Sequence, residues 1–213
     1  MVGSVGGVDD VRGPIDPTAG RPARRSPGRP ARTSTDELVA AALTLGLDTF
    51  TLVAVAERVG VAESTVYGYV PTREALWAVA AARVFEELDT EADADGWEAY
   101  VDLVAGRTVE LARRHPGLRE YLYAGPFEPS TIATYEALTA RVRSWLPEVS
   151  EHLAFVLGSR PLVASLSYLG DPVLEPVAPW LRRALIRGMA DLLATEPPPR
   201  TPAAPWRTKL IGR

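Results

Sequence analysis

The chain has 213 residues, 46% of them hydrophobic and 23% charged, with a formal net charge of −4, two histidines and no cysteine. Disulfides, thiolate metal sites and cysteine nucleophiles are therefore excluded, and two histidines are too few for a histidine-based metal centre. The proportions are those of a soluble globular protein long enough for a buried core, in one large or two small domains.

No apolar run reaches the roughly 18 residues that a membrane span needs. The Gly- and Asp-containing start lacks the apolar centre of a signal peptide, so a cytoplasmic protein without a membrane partner is expected. Charge is unevenly spread. Residues 1–35 carry six Arg against three Asp, whereas 36–90 carry three Arg against nine acids.

Residues 1–33 mix Gly, Pro, Arg, Ser and Ala without helical or strand period, which predicts a disordered arm. Its arginines, Arg24, Arg25, Arg29 and Arg32 with Arg21, suit a solvated tail or an arm that tracks phosphates. Order is predicted to begin at Ser34, three residues before Glu37, the spacing of a capping box. Leu38, Val39, Ala42, Leu43 and Leu45 then form the inner face of a first helix ending near Gly46 or Leu47. Phe50 belongs to the core.

Leu52, Val55, Ala56 and Val59 fall at i, i+3, i+4 and i+7, an apolar stripe on a short helix. Thr51 stands at its N-cap and Gly60 at its left-handed C-terminal position. Three residues, Gly60 to Ala62, separate it from the next helix, and two short helices joined so tightly make a helix-turn-helix. Val61, Val66 and Val70 point inward on the second helix. Glu63, Ser64, Thr65, Gly68 and Tyr69 are left outward, a short-chained, hydroxyl-rich face that can approach a DNA backbone. Tyr67 can bury its ring and still present its hydroxyl to phosphate.

Thr72 caps a fourth helix whose wide apolar face runs from Leu76 to Leu88. The acidic stretch Asp89 to Gly96 marks a boundary. Longer helices follow: one lined by Trp97, Tyr100, Val101, Val104 and Leu111, a short one from Leu118 to Tyr123, and one striped by Ile132, Tyr135, Leu138, Val142 and Trp145. Residues 148–168, interrupted by Gly158 and Pro161, form either one kinked helix or two. Pro176 or Pro179 opens the last helix, and the tail 196–213 is Pro-rich and extended. The fold class is all-α, divided into the arm, a helix-turn-helix domain at 34–88, a helical domain at 89–195 and the tail.

The aromatic residues of the second domain, among them Tyr100, Tyr121, Tyr123, Phe127, Tyr135 and Phe155, are each ordinary core residues taken singly. As a group beside Gly-Pro breaks they make an aromatic-lined pocket plausible. Arg107 is a candidate anchor for an anionic ligand group, with a satisfied ion pair as its plainer role. Neither histidine has a Ser or Asp at triad spacing. No catalytic residue, cofactor or metal is expected.

Residues 38–88 resemble the DNA-binding domain of the tetracycline-repressor (TetR) family of transcriptional regulators. The resemblance rests on Phe50-Thr51-Leu52, Ala56-Glu57-Arg58-Val59-Gly60-Val61, Thr65-Val66-Tyr67, Tyr69-Val70 and Thr72-Arg73-Glu74-Ala75-Leu76. It implies a homodimer whose recognition helices enter successive major grooves of a palindromic operator, usually a repressor released by a small-molecule effector.

Carried onto this sequence, the resemblance places Thr65 and Tyr67 on phosphates and Ser64, Gly68 and Tyr69 at the groove. Thr51, Thr72 and Arg73 would hold the backbone on either side. Ala62 departs from the family, which often has a capping Ser there, and Gly68 weakens a helix interior. Glu63 repels phosphate but can accept from cytosine N4. The runner-up reading is a helical small-molecule-binding protein or enzyme that keeps the fold without using it on DNA.

Overall fold

Ser34 makes both halves of the predicted capping box. Its Oγ accepts from the Glu37 amide at 3.2 Å, and its own amide donates to Glu37 Oε2 at 3.0 Å. In the computed structural model, which describes residues 33–197, helix α1 (Thr35–Leu45) starts there and stops at Gly46. The arginine arm with Arg24, Arg25, Arg29 and Arg32, and the Pro-rich tail beyond residue 197, lie outside the described residues.

Helix α2 (Leu52–Val59) opens on Thr51, whose Oγ1 accepts from the Ala54 amide at 3.1 Å. It closes on Gly60 in the left-handed region, φ 76° and ψ 35°, which lets the chain turn sharply into the next helix. Helix α3 (Glu63–Val66) is a single turn, capped by an Ala62 that offers no side-chain bond. Past Val66 the chain keeps winding through turns closed by Gly68 N–H to Thr65 O and Tyr69 N–H to Val66 O. The sequence-predicted recognition helix is therefore shorter than expected, and Gly68 sits in the turn after it. With no hydroxyl at the cap and a glycine five residues from the start, a longer α-helix has little local support.

Helix α4 (Arg73–Phe85) is capped by Thr72 and buries Leu76, Ala80, Ala81, Val84 and Phe85. It packs on α1 on one side and, on the other, on α6 (Leu118–Ala124) and α7 (Pro129–Trp145). Helices α5 (Trp97–Arg114) and α7 flank α8 (Glu151–Leu166), and α9 (Ala178–Thr195), preceded by a 3-10 turn at Glu175–Val177, lies on α5 and α8.

Residues 151–166 form one helix, which resolves the alternative left open by Gly158 and Pro161. A β-carbon at Gly158 would stand 3.0 Å from Leu138 Cγ, so that glycine lets α7 approach α8 closely. Burial of Leu153, Leu157, Leu162 and Leu166 keeps the helix continuous through Pro161 despite the lost amide donor. The described residues contain no strand, and no helix among them is long and apolar enough to cross a membrane.

One helix is sparsely used by its own chain. Of α9 only Ala178 and Ile186 are buried, with Met189, Ala190 and Leu193 partly so. On other faces Trp180, Leu185 and Leu192 are exposed, Trp180 to 65%, as is Val177 in the turn before α9.

Candidate nucleic-acid interface and candidate ligand site

Two helix starts meet beside the helix-turn-helix. A cleft of about 340 Å³ is lined by Thr51, Leu52, Val53, Glu63, Tyr67, Pro71, Thr72 and Arg73. It thus gathers five of the nine residues assigned to DNA from sequence. Thr51 and Thr72 cap α2 and α4 and line it, so the starts of two helices, with their partial positive charge, lie at its edge. Tyr67 is 52% exposed and lines the same cleft. Ser64, Gly68 and Tyr69 are exposed and Thr65 half-buried, whereas Val66 and Val70 are buried as predicted.

Arg73 departs from its expected place. Its Nε donates to Phe50 O at 2.8 Å and its Nη2 to Asp48 O at 3.1 Å, with the guanidinium 4.6 Å from the centre of the Phe50 ring. Two of its donors are thus held within the chain, where they fix the loop that precedes Thr51. The partners are carbonyls more than twenty residues earlier, which no local pattern reveals.

Tyr69 keeps its ring outward, but its hydroxyl donates to the Thr33 carbonyl at 2.8 Å. The residue just before the Ser34 cap is thereby tied to the turn that follows α3. Tyr69→Phe is expected to leave the free energy of unfolding within about 1 kcal/mol of wild type, since one exposed hydrogen bond is lost. Amide hydrogen exchange at Ser34 and Thr35 is the measurement, and faster exchange there is the expected change.

The aromatic pocket predicted for the second domain is a packed cluster. Tyr121, Phe127, Tyr135 and Phe155 do come together, but edge to face. Tyr121–Phe127 centroids are 5.5 Å apart, Phe127–Tyr135 6.5 Å and Tyr135–Phe155 5.7 Å. Trp77 and Phe85 of α4, which sequence did not place there, complete it at 5.7 Å from Tyr121 and 5.6 Å from Tyr135. The rings fill one another's space, as aromatic cores do.

Burial raises the pKa of Tyr121 and of Tyr135 and keeps both neutral. The Tyr121 hydroxyl is hydrogen-bonded to Thr131 Oγ1 at 2.6 Å and accepts from the Glu128 amide at 3.0 Å.

The remaining predicted pocket residues go elsewhere. Tyr100 packs on Trp145 at 5.3 Å and donates to Thr90 O at 2.8 Å, and burial pushes its hydroxyl up to about 12. Tyr123 is 43% exposed and donates to Val163 O. Arg107 pairs with Asp89 Oδ2 at 2.7 Å, so the satisfied ion pair is its observed role.

A search of the solved structures finds the crystal structure of the Streptomyces coelicolor TetR family protein ActR in complex with (S)-DNPA. The match has a TM-score of 0.59 at 20% identity, over 78% of this chain and 100% of that one. The chain has the TetR-family fold. No family model matches it, and no curated protein does. Within this TetR fold the sequence signals that succeeded are local ones, the caps at Ser34, Thr51 and Thr72 and the glycine corner at Gly60. Val53, 47% exposed beside Thr51 at the cleft, was missed because an apolar residue outside the stripe carries no distinct pattern.

Proposed function

We propose that the chain is a DNA-binding transcriptional regulator that works as a homodimer and responds to a small molecule. The observation that carries the reading is the cleft of Thr51, Tyr67 and Thr72, where two capped helix starts and an exposed tyrosine come together on a TetR fold. A phosphate seated there would meet amide donors of α2 and α4 and the Tyr67 hydroxyl. Ser64, Gly68 and the Tyr69 ring would face the groove, with Glu63 reading cytosine N4.

The unpartnered apolar side of α9 supports pairing with a second copy. Two half-sites about 34–36 Å apart then explain why a dimer is needed. ActR was crystallised in complex with (S)-DNPA, which supports a small-molecule effector for a chain of this fold. Effector binding would favour an arrangement in which the two reading surfaces no longer match that spacing, and so release a palindromic operator in the manner of a repressor.

Mobility-shift titration tests the assignment. Tyr67→Phe and Thr72→Ala are expected to weaken binding to every sequence by a similar factor, about three- to tenfold each for one lost phosphate contact. Glu63→Ala is expected to change which operator is preferred. Unchanged binding in all three contradicts the assignment.

A further inference from the structure

A cavity of about 660 Å³ lies at the seam between the helix-turn-helix and the rest of the chain. Its wall draws on the loop before α2 (Leu47, Asp48), the first turns of α4 (Arg73, Trp77), the end of α5 with the following turn, and the segment after α8. The volume lies in the ordinary range for drug-sized ligands, roughly 300–1,000 Å³. A smaller chamber of about 160 Å³, lined by Ser165 and Arg182 among others, adjoins it. Arg113, Leu169 and Glu175 line both, so the Arg113–Glu175 ion pair at 2.7 Å stands between them.

Three arginines line the larger cavity on different supports, beside the acidic residues Asp48, Glu120 and Glu175. Arg113 is held by Glu175 and Glu110, and Arg73 only by the carbonyls of Phe50 and Asp48. Arg119 bonds the Leu169 carbonyl and its chain neighbour Glu120, a half-exposed pair of the kind that contributes little. Arg73 therefore faces the cavity without a carboxylate of its own, and Arg119 can exchange Glu120 for another anion at small cost. The same cavity is lined by Trp77, with Leu47, Pro116 and Leu169 as further apolar wall.

We propose that this seam cavity is the chain's small-molecule site and that it takes an amphipathic aromatic molecule bearing one anionic group. The ring stacks beside Trp77, and the anion bridges Arg119 and Arg73. The aromatic cluster is filled by its own side chains, but Trp77 belongs to both and touches Tyr121, so an occupant of the seam also presses on the packed interior.

The position explains how occupancy would be felt. The turn at Gly117 packs so closely on the loop before α2 that an added β-carbon would lie 3.0 Å from both Asp48 N and Leu47 Cβ. An occupant shares that loop and Arg73, the group that holds it, so it acts on the segment that presents Thr51. This coupling rests on the DNA-binding reading, but the site itself does not.

The test uses the full-length protein without DNA and the probe 1-anilinonaphthalene-8-sulfonate, an aromatic sulfonate that brightens out of water. Wild type is expected to bind one dye per chain saturably. Arg119→Gln should weaken it about tenfold, as for a lost charged hydrogen bond. Leu169→Trp, which fills the cavity from another wall, should abolish it.

Circular dichroism and melting curves check that both variants are folded. Dye binding that is unchanged in both, or that is lost in Trp180→Ala instead, places the dye on another surface and overturns the proposal. Absence of saturable binding to wild type overturns it as well. A mobility-shift titration with the same dye then reports the coupling separately.

Discussion

A Trp180→Glu/Leu185→Glu double variant is expected to be a folded monomer that no longer forms a stable complex with a two-half-site operator. Both side chains are exposed in the single chain, Trp180 at 65% and Leu185 at 37%, so their replacement removes little of the protein's own packing. The far-ultraviolet circular dichroism should be unchanged.

In a symmetric pair each substitution occurs twice. The interface then loses apolar groups worth about 1.5–3 kcal/mol each when buried and must desolvate four carboxylates at several kcal/mol apiece. Together these exceed what separates a micromolar from a millimolar dimer, about 4 kcal/mol. Sedimentation velocity is the check. A variant that still sediments as a dimer shows that α9 is not the contact.

Tyr135→Ala is the substitution expected to cost most stability in a single chain, about 3–5 kcal/mol, as for other large aromatic truncations in a core. Tyr135 is buried and touches Phe85, Phe127 and Phe155, one ring from each of three other segments. Its removal leaves a void that α4, α7 and α8 close only partly. Chemical denaturation gives the number. A loss below about 1 kcal/mol, the cost typical of an exposed site, would mean that Tyr135 lines open space, and the pocket read from sequence would be restored in place of the packed cluster.

The same cluster shows where sequence reading stopped. The pattern of aromatics across several helices put Tyr121, Phe127, Tyr135 and Phe155 in one group with Tyr100 and Tyr123, which pack elsewhere. Whether such a group encloses a hole depends on ring-to-ring distances of under 7 Å, which are set by how helices cross. Periodicity does not carry that information.

Caps and the glycine corner were legible because each involves atoms within four residues: Thr51 with Ala54, Thr72 with Ala75, Gly60 with Ala56. The roles of Arg73 and Tyr69 were not, since their partners lie 23, 25 and 36 residues away and are backbone carbonyls, identical in every residue type. Likewise the continuity of α8 through Pro161 is decided by burial between α5 and α7, against local preference.

The account depends on the Thr51, Tyr67 and Thr72 surface meeting the phosphates of a duplex, in a segment whose formal charge is negative. Salt dependence of binding to a duplex from upstream of the protein's own gene tests this most directly. Each phosphate neutralised contributes about −0.9 to the slope of log K against log salt concentration. A steep negative slope is expected, with Tyr67→Phe lowering affinity at every salt concentration. A flat dependence, or affinity indifferent to Tyr67 across the whole titration, would contradict the reading.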